Sequence, residues 1–163
     1  MQVFVSNRYV KILALSLGLF MAAGSAMAQN AGNGVLGWWL DQTGKGGILI
    51  SRCGASICGR VEWLRTPLNA QGKPLLDAKN DNPALRGREI CGLQVLGNFV
   101  PDGSGGWQKG WIYDPKTGKT YDSVVSLNND GTLDVRGYIG APFFGRSETW
   151  TRPAAPLTPC AGS

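Results

Sequence analysis

Between Gly37-Trp38-Trp39 and Trp150-Thr151-Arg152 lie eight strand-sized segments, each cut off by Gly, Asn, Asp or Pro before it can become long. That punctuation constrains the fold more than any other feature, because it leaves no window in which an amphipathic helix can compete. Alternation and turn signals place the strands near 35–41, 46–52, 58–64, 89–96, 107–113, 119–127, 131–138 and 144–152. The connectors include Gly44-Lys45-Gly46-Gly47, Asp114-Pro115-Lys116-Thr117-Gly118, Asn128-Asn129-Asp130-Gly131 and Gly140-Ala141-Pro142. Gly and Asn accept positive φ and Pro presets a turn, so these suit hairpins. A run of hairpins is a meander, and eight meandering strands remove their exposed edges by closing. The expected fold is all-β, an eight-stranded antiparallel up-and-down barrel.

Residues 1–28 read as a secretory signal peptide. Arg8 and Lys11 make a basic start, Ile12 to Met21 form an apolar stretch too short to span a bilayer, and Ala26-Met27-Ala28 has the small-x-small cleavage pattern. Residues 29–163 are then one domain in the periplasm or outside the cell, with no linker dividing it and no later membrane span. The two basic residues of the signal leave 14 basic against 11 acidic, a net charge of +3. The excess is scattered, with Lys116 and Lys119 about Gly118 and Arg86 and Arg88 in a loop, so the dense basic stripe of a nucleic-acid surface is missing.

Cys53, Cys58, Cys91 and Cys160 all fall after the signal, and an even number in an exported chain argues for disulfides. Three pairings exist. Cys53 and Cys58 bracket Gly54-Ala55-Ser56-Ile57, where flanking positions of a hairpin face each other, so the expected bridges are Cys53–Cys58 and Cys91–Cys160. A zinc site is disfavoured by the lack of histidine and of any C-x-x-C pair.

The connection at 65–88 is too long for a hairpin loop. Asn82-Pro83-Ala84-Leu85 reads as a cap followed by a short helical turn. Asp77, Asn80, Asp81 and Asn82 have the composition of a calcium loop without the alternating ligands, central Gly and closing Glu of an EF-hand, and capping of backbone amides is the preferred reading.

Several motifs run in one order: Cys53-Gly-Ala-Ser-Ile-Cys58-Gly59; Asp77-x-x-Asn80 with Leu85-Arg86-Gly87-Arg88; Tyr113-Asp114-Pro115-x-x-Gly118-Lys119-x-Tyr121; Leu133-x-Val135-Arg136-Gly137-Tyr138; Gly145-Arg146; and Trp150-x-Arg152. The series resembles the exported bacterial domains of unknown function of family 2147, over nearly all of 29–163. A broader resemblance is to calycins, the lipocalin-like barrels, in which a G-x-W motif opens the first strand and an Arg after the last strand packs over its Trp. Gly37, Trp39 and Arg152 match those roles, and Trp150 belongs to the same closing motif. The resemblance implies a fold and no activity.

Catalytic constellations are poorly represented. Nucleophilic catalysis needs an activated Ser or Cys beside a base, and the chain has no histidine and no G-x-S-x-G elbow. Nothing brings Asp114, Asp122, Asp134 and Glu148 together as paired carboxylates. No cofactor or metal is expected. Arg146 and Glu148 share a strand face with Trp150 and Arg152, so they should point inward if Arg152 covers Trp39 from inside; the structural alternatives are that the strand bends or bulges near Gly145 and leaves this face partly exposed, or that the two charges pair with each other. The aromatic set of Trp39, Trp63, Trp111, Tyr113, Tyr121, Tyr138, Phe143 and Phe144 would line a pocket or fill the core.

The leading reading is an exported calycin-like binding protein for a small apolar or amphipathic molecule, its ligand candidates being Arg86, Arg88, Trp111, Tyr113, Tyr121, Tyr138, Arg146 and Glu148. The alternative is a filled barrel that presents the 65–88 loop to an envelope protein. An enzyme using carboxylate or arginine chemistry ranks third.

Overall fold

Period-two alternation carries through most of the chain. In the computed structural model, which describes residues 34–160, the strands are β1 (Gly37–Leu40), β2 (Gly46–Cys53), β3 (Ser56–Leu64), β4 (Gln94–Pro101), β5 (Trp107–Asp114), β6 (Lys119–Leu127), β7 (Leu133–Tyr138) and β8 (Arg146–Trp150). They form one eight-stranded sheet in sequence order, every neighbouring pair antiparallel. The signal segment expected at 1–28 and the mature start at Gln29 lie outside the described residues.

The sheet curls until its ends meet at Leu40 and Thr151, whose amides and carbonyls exchange hydrogen bonds of 2.8 and 3.1 Å. The result is a nearly closed up-and-down barrel. Arg152 continues the seam: its guanidinium lies 3.7 Å from the ring centroid of Trp39. It also donates to the carbonyls of Leu36 (3.0 Å), Trp38 (3.1 Å) and Gly34 (2.6 Å). Gly37 is required beside it, since its φ is +102° and a Cβ there would sit 3.1 Å from an Arg152 nitrogen. The Trp39 indole is fully buried and donates to the Val35 carbonyl at 2.8 Å.

One strand departs from expectation. β4 runs Gln94–Pro101 rather than 89–96. Residues 90–93 instead form a turn closed by Leu93 N–H to the Ile90 carbonyl, 3.1 Å, which is pinned to β3 through Val61 on both its N–H and C=O. The strand also runs past its expected end at 96: Asn98 takes φ +63° within it, a conformation Asn tolerates, and pairing with β5 continues to Pro101.

Both disulfides join the expected partners, Cys53–Cys58 and Cys91–Cys160. The first clips the β2–β3 hairpin, and the second ties the C-terminal tail to the long β3–β4 connection at 65–93. That connection carries the 3-10 turn Pro83–Leu85, and the Asn82 side chain caps it by accepting from Ala84 N–H at 3.1 Å.

The core fills only one end of the barrel. Trp39, Ile50, Ile57, Leu96, Phe99, Trp107, Val125, Leu133 and Val135 are essentially inaccessible. At the other end, where the β1–β2, β3–β4 and β5–β6 connections lie, the walls part around a cavity.

Candidate functional site

The cavity holds about 530 Å³, within the usual range for small-molecule sites. Its walls are strand residues that alternation turns inward, Ile48 on β2, Val61 on β3, Val95 on β4 and Ile112 on β5, with Trp150 on β8; Leu64 joins Val61 on this face because the β2–β3 register shifts between them. The long connection contributes Leu75, Leu76 and Ile90. Charge is confined to Asp41, Lys45, Arg65, Asp114, Lys116 and Glu148, of which Asp41, Lys45, Arg65 and Lys116 belong to the connections at the mouth. Apolar walls with a mixed-charge rim suit a ligand with a greasy body and a polar end.

The wall on the side of the long connection is held by a buried polar cluster. Asp77 is fully buried and accepts a short hydrogen bond from the Tyr113 hydroxyl, a 2.8 Å bond from Asn80 Nδ2 and a 2.9 Å bond from Arg88, with which it forms an ion pair. Asn80 Nδ2 also reaches the Tyr113 oxygen at 2.9 Å, and its Oδ1 accepts from Asn82 N–H. Burial pushes the Asp77 carboxyl up, but its hydrogen bonds from Tyr113, Arg88 and Asn80 together outweigh this and hold it below the ordinary 3.8. Tyr113 moves the other way. Burial, then the hydrogen bond to Asp77 and its negative charge, push the phenol up to about 12. Gly118 lets the loop descend onto the β5–β6 turn: its φ is +78°, and a Cβ would lie only 1.8 Å from the Lys79 carbonyl oxygen.

Of the eight ligand candidates read from the sequence, Tyr113 and Glu148 line the cavity. Glu148 accepts from the Trp150 indole at 2.9 Å. Arg146 is exposed and lines no part of the cavity, as the partly exposed face would have it, and Glu148 meets the Trp150 indole instead of Arg146; β8 extends past the end of β1 here, so Arg146 has a strand neighbour only on its β7 side, at Gly137. Trp111 and Arg88 border a separate cleft on the outer wall. Trp111 pairs with Gly97 and its ring covers that glycine, on the face opposite Ile112. Tyr138 shares the outward row of Trp111 through Asp122, and neither Tyr138 nor Tyr121 borders the cavity. Arg86 is engaged in the loop, its Nε donating to the Asn80 carbonyl at 2.8 Å. Phe143 and Phe144, grouped with the core aromatics in the sequence, are among the most exposed side chains.

The aliphatic walls went unnoticed beside the aromatics, although the alternation of Ile48 and Val61 carried the signal. No sequence signal joined Asp77 to Tyr113, which stand 36 positions apart and meet only because the loop folds back.

A meander of eight antiparallel strands, a seam closed by an Arg over a Trp, and a cavity open at one end define a lipocalin-like barrel. A solved structure with this fold is protein HP1028 from the human pathogen Helicobacter pylori, described as belonging to the lipocalin family; the two share 23% identity over 73% of this chain and 82% of that one, with a TM-score of 0.62. The chain itself belongs to the family described as an uncharacterized protein conserved in bacteria (DUF2147), whose model matches residues 37–152, from the glycine of the first strand to the arginine that closes the seam. Among curated proteins, none matches the chain.

Proposed function

We propose that this protein is an exported carrier that takes one small apolar or amphipathic molecule into the open half of its barrel. The observation that carries the reading is the cavity of about 530 Å³, apolar in its walls and charged at its mouth. Two disulfides support an oxidising compartment, and no helix among the described residues is long and apolar enough to cross a membrane. The lipocalin-like fold adds analogy. A filled barrel acting only as an interaction module has less support, because side chains occupy one end alone.

Native mass spectrometry of freshly purified protein tests the reading first, since a carrier should retain an adventitious lipid-sized adduct. A titration with 11-(dansylamino)undecanoic acid tests it further. Saturable one-site binding is expected, weakened at least about tenfold by Ile112→Trp, which places extra ring volume in the cavity. Binding that never saturates, or that ignores Ile112→Trp in a folded variant, would count against the cavity as the site.

A further inference from the structure

The exposed large apolar side chains among the described residues are Leu68, Leu76, Leu127, Ile139, Phe143 and Phe144. Their distribution is uneven. In a meander the β1–β2, β3–β4, β5–β6 and β7–β8 connections share one end of the barrel, and this is the end at which the cavity opens. Five of the six belong to that end: Leu68 and Leu76 to the β3–β4 connection, Ile139, Phe143 and Phe144 to the β7–β8 hairpin.

The hairpin tip is held out, not left loose. Arg136 donates from Nε to the Pro142 carbonyl (2.6 Å) and from Nη2 to the Phe143 carbonyl (3.3 Å). The Phe144 and Gly145 amides close a 3-10 turn on Ala141 and Pro142. The two phenyl rings pack edge to face, 5.3 Å between centroids, while Phe143 remains 85% exposed, Phe144 78% and Ile139 74%. Monomeric proteins rarely show such clusters without a use.

Charge follows the same axis. The four connections at the mouth end carry seven Lys and Arg against four Asp and Glu, although one of the seven, Arg88, is paired with Asp77 and borders the outer cleft; the three connections at the opposite end carry Asp102 and Asp130. The connections at the mouth end are therefore net positive and greasy, whereas at the opposite end the exposed Arg52 and Arg152 offset Asp102 and Asp130.

We propose that the mouth end docks on a bilayer surface containing anionic lipid, with Phe143, Phe144 and Ile139 entering the boundary between headgroups and acyl chains and the basic connections resting on the headgroups. A protruding apolar tip beside scattered cations fits a soft, anionic, apolar-centred surface better than it fits a shaped protein socket. The inference goes beyond the carrier reading and does not depend on it.

Sedimentation with vesicles of phosphatidylcholine, alone or partly replaced by phosphatidylglycerol, tests it. The protein should partition more strongly onto the anionic vesicles and be released by salt. The variant Phe143→Ser/Phe144→Ser should lose at least about tenfold in partitioning, Phe143→Trp/Phe144→Trp should retain it, and Leu127→Ser at the far end should leave it unchanged. Residues 1–28 are identical in all variants, so the differences report on the hairpin. Equal partitioning of the serine variant, indifference to phosphatidylglycerol, or a wild-type dimer that the serine variant dissolves would each overturn the proposal. The dansyl probe plays no part in this assay, so its failure and that of the carrier reading are separable.

Discussion

At the scale of single residues, two contacts set the strongest expectations. Arg152 stacks on Trp39 and spends its donors on three carbonyls around the first strand, a combination that Lys cannot reproduce because its ammonium has neither the plane nor the fork. Arg152→Lys should destabilise the fold although the charge is kept. A double-mutant cycle with Trp39→Phe, read by urea unfolding, should show coupling of about 0.5 to 2 kcal/mol; strict additivity would contradict the stacked seam. The second contact is Asp77 with Tyr113. The Asp77 carboxyl titrates below its ordinary 3.8 in the fold, so its contribution is present above that value and is lost as pH falls through the depressed folded value. Tyr113 is raised to about 12, so its contribution holds below the ordinary 10.0 and is lost as pH rises towards 12. Asp77→Asn should therefore flatten the acid limb of the stability–pH curve, measured by unfolding at a series of pH values, and Tyr113→Phe should flatten the alkaline limb. An acid limb unchanged in Asp77→Asn would show that the cluster is not what titrates.

At the scale of elements, the long β3–β4 connection is the part that an up-and-down barrel does not need, and it is fastened at several points, among them Cys91–Cys160, the Asp77–Tyr113 cluster, Gly118 beneath Lys79 and the hydrogen bonds of Val61 to Gly92 and Leu93. The two disulfides span very different lengths, 5 and 69 positions. On the chain-entropy model the longer loop contributes about 4 kcal/mol and the shorter about 2. Cys160→Ser should then lower the melting temperature more than Cys53→Ser, in scanning calorimetry of the oxidised variants; the reverse order would mean that the tail contributes little to the folded state. Gly118→Val should loosen the same connection, because its side chain would meet the Lys79 carbonyl and its backbone would be strained at positive φ. Limited proteolysis should then cut within 65–93 sooner than in the parent, while an unchanged cleavage pattern would argue that the loop is held elsewhere.

At the scale of the whole molecule, the barrel divides into a packed end that supplies stability and an open end that supplies space. If the open end holds a ligand only in the folded state, 11-(dansylamino)undecanoic acid at about a hundred times its Kd should stabilise the protein by about 2.7 kcal/mol, visible as a rise in melting temperature that Ile112→Trp abolishes. A melting temperature indifferent to the probe would locate any binding outside the native cavity. The strand count, the hairpin order, the Cys53–Cys58 bridge and the capped turn at Pro83 were legible in the sequence, because each rests on local backbone preference or on period two; Cys91–Cys160 followed as the remaining pair, and the Trp39–Arg152 seam was implied by the resemblance to calycins. The bounds of β4 were not legible: its start is delayed by the 90–93 turn that Val61 holds, and its end is carried past Asn98, at φ +63°, by pairing with β5. Nor was the site. Alternation says which side chains share a face, but how far the walls stand apart depends on where the seam closes and where a loop of about thirty residues settles, and those are set by contacts such as Asp77–Tyr113 that only the folded chain brings together.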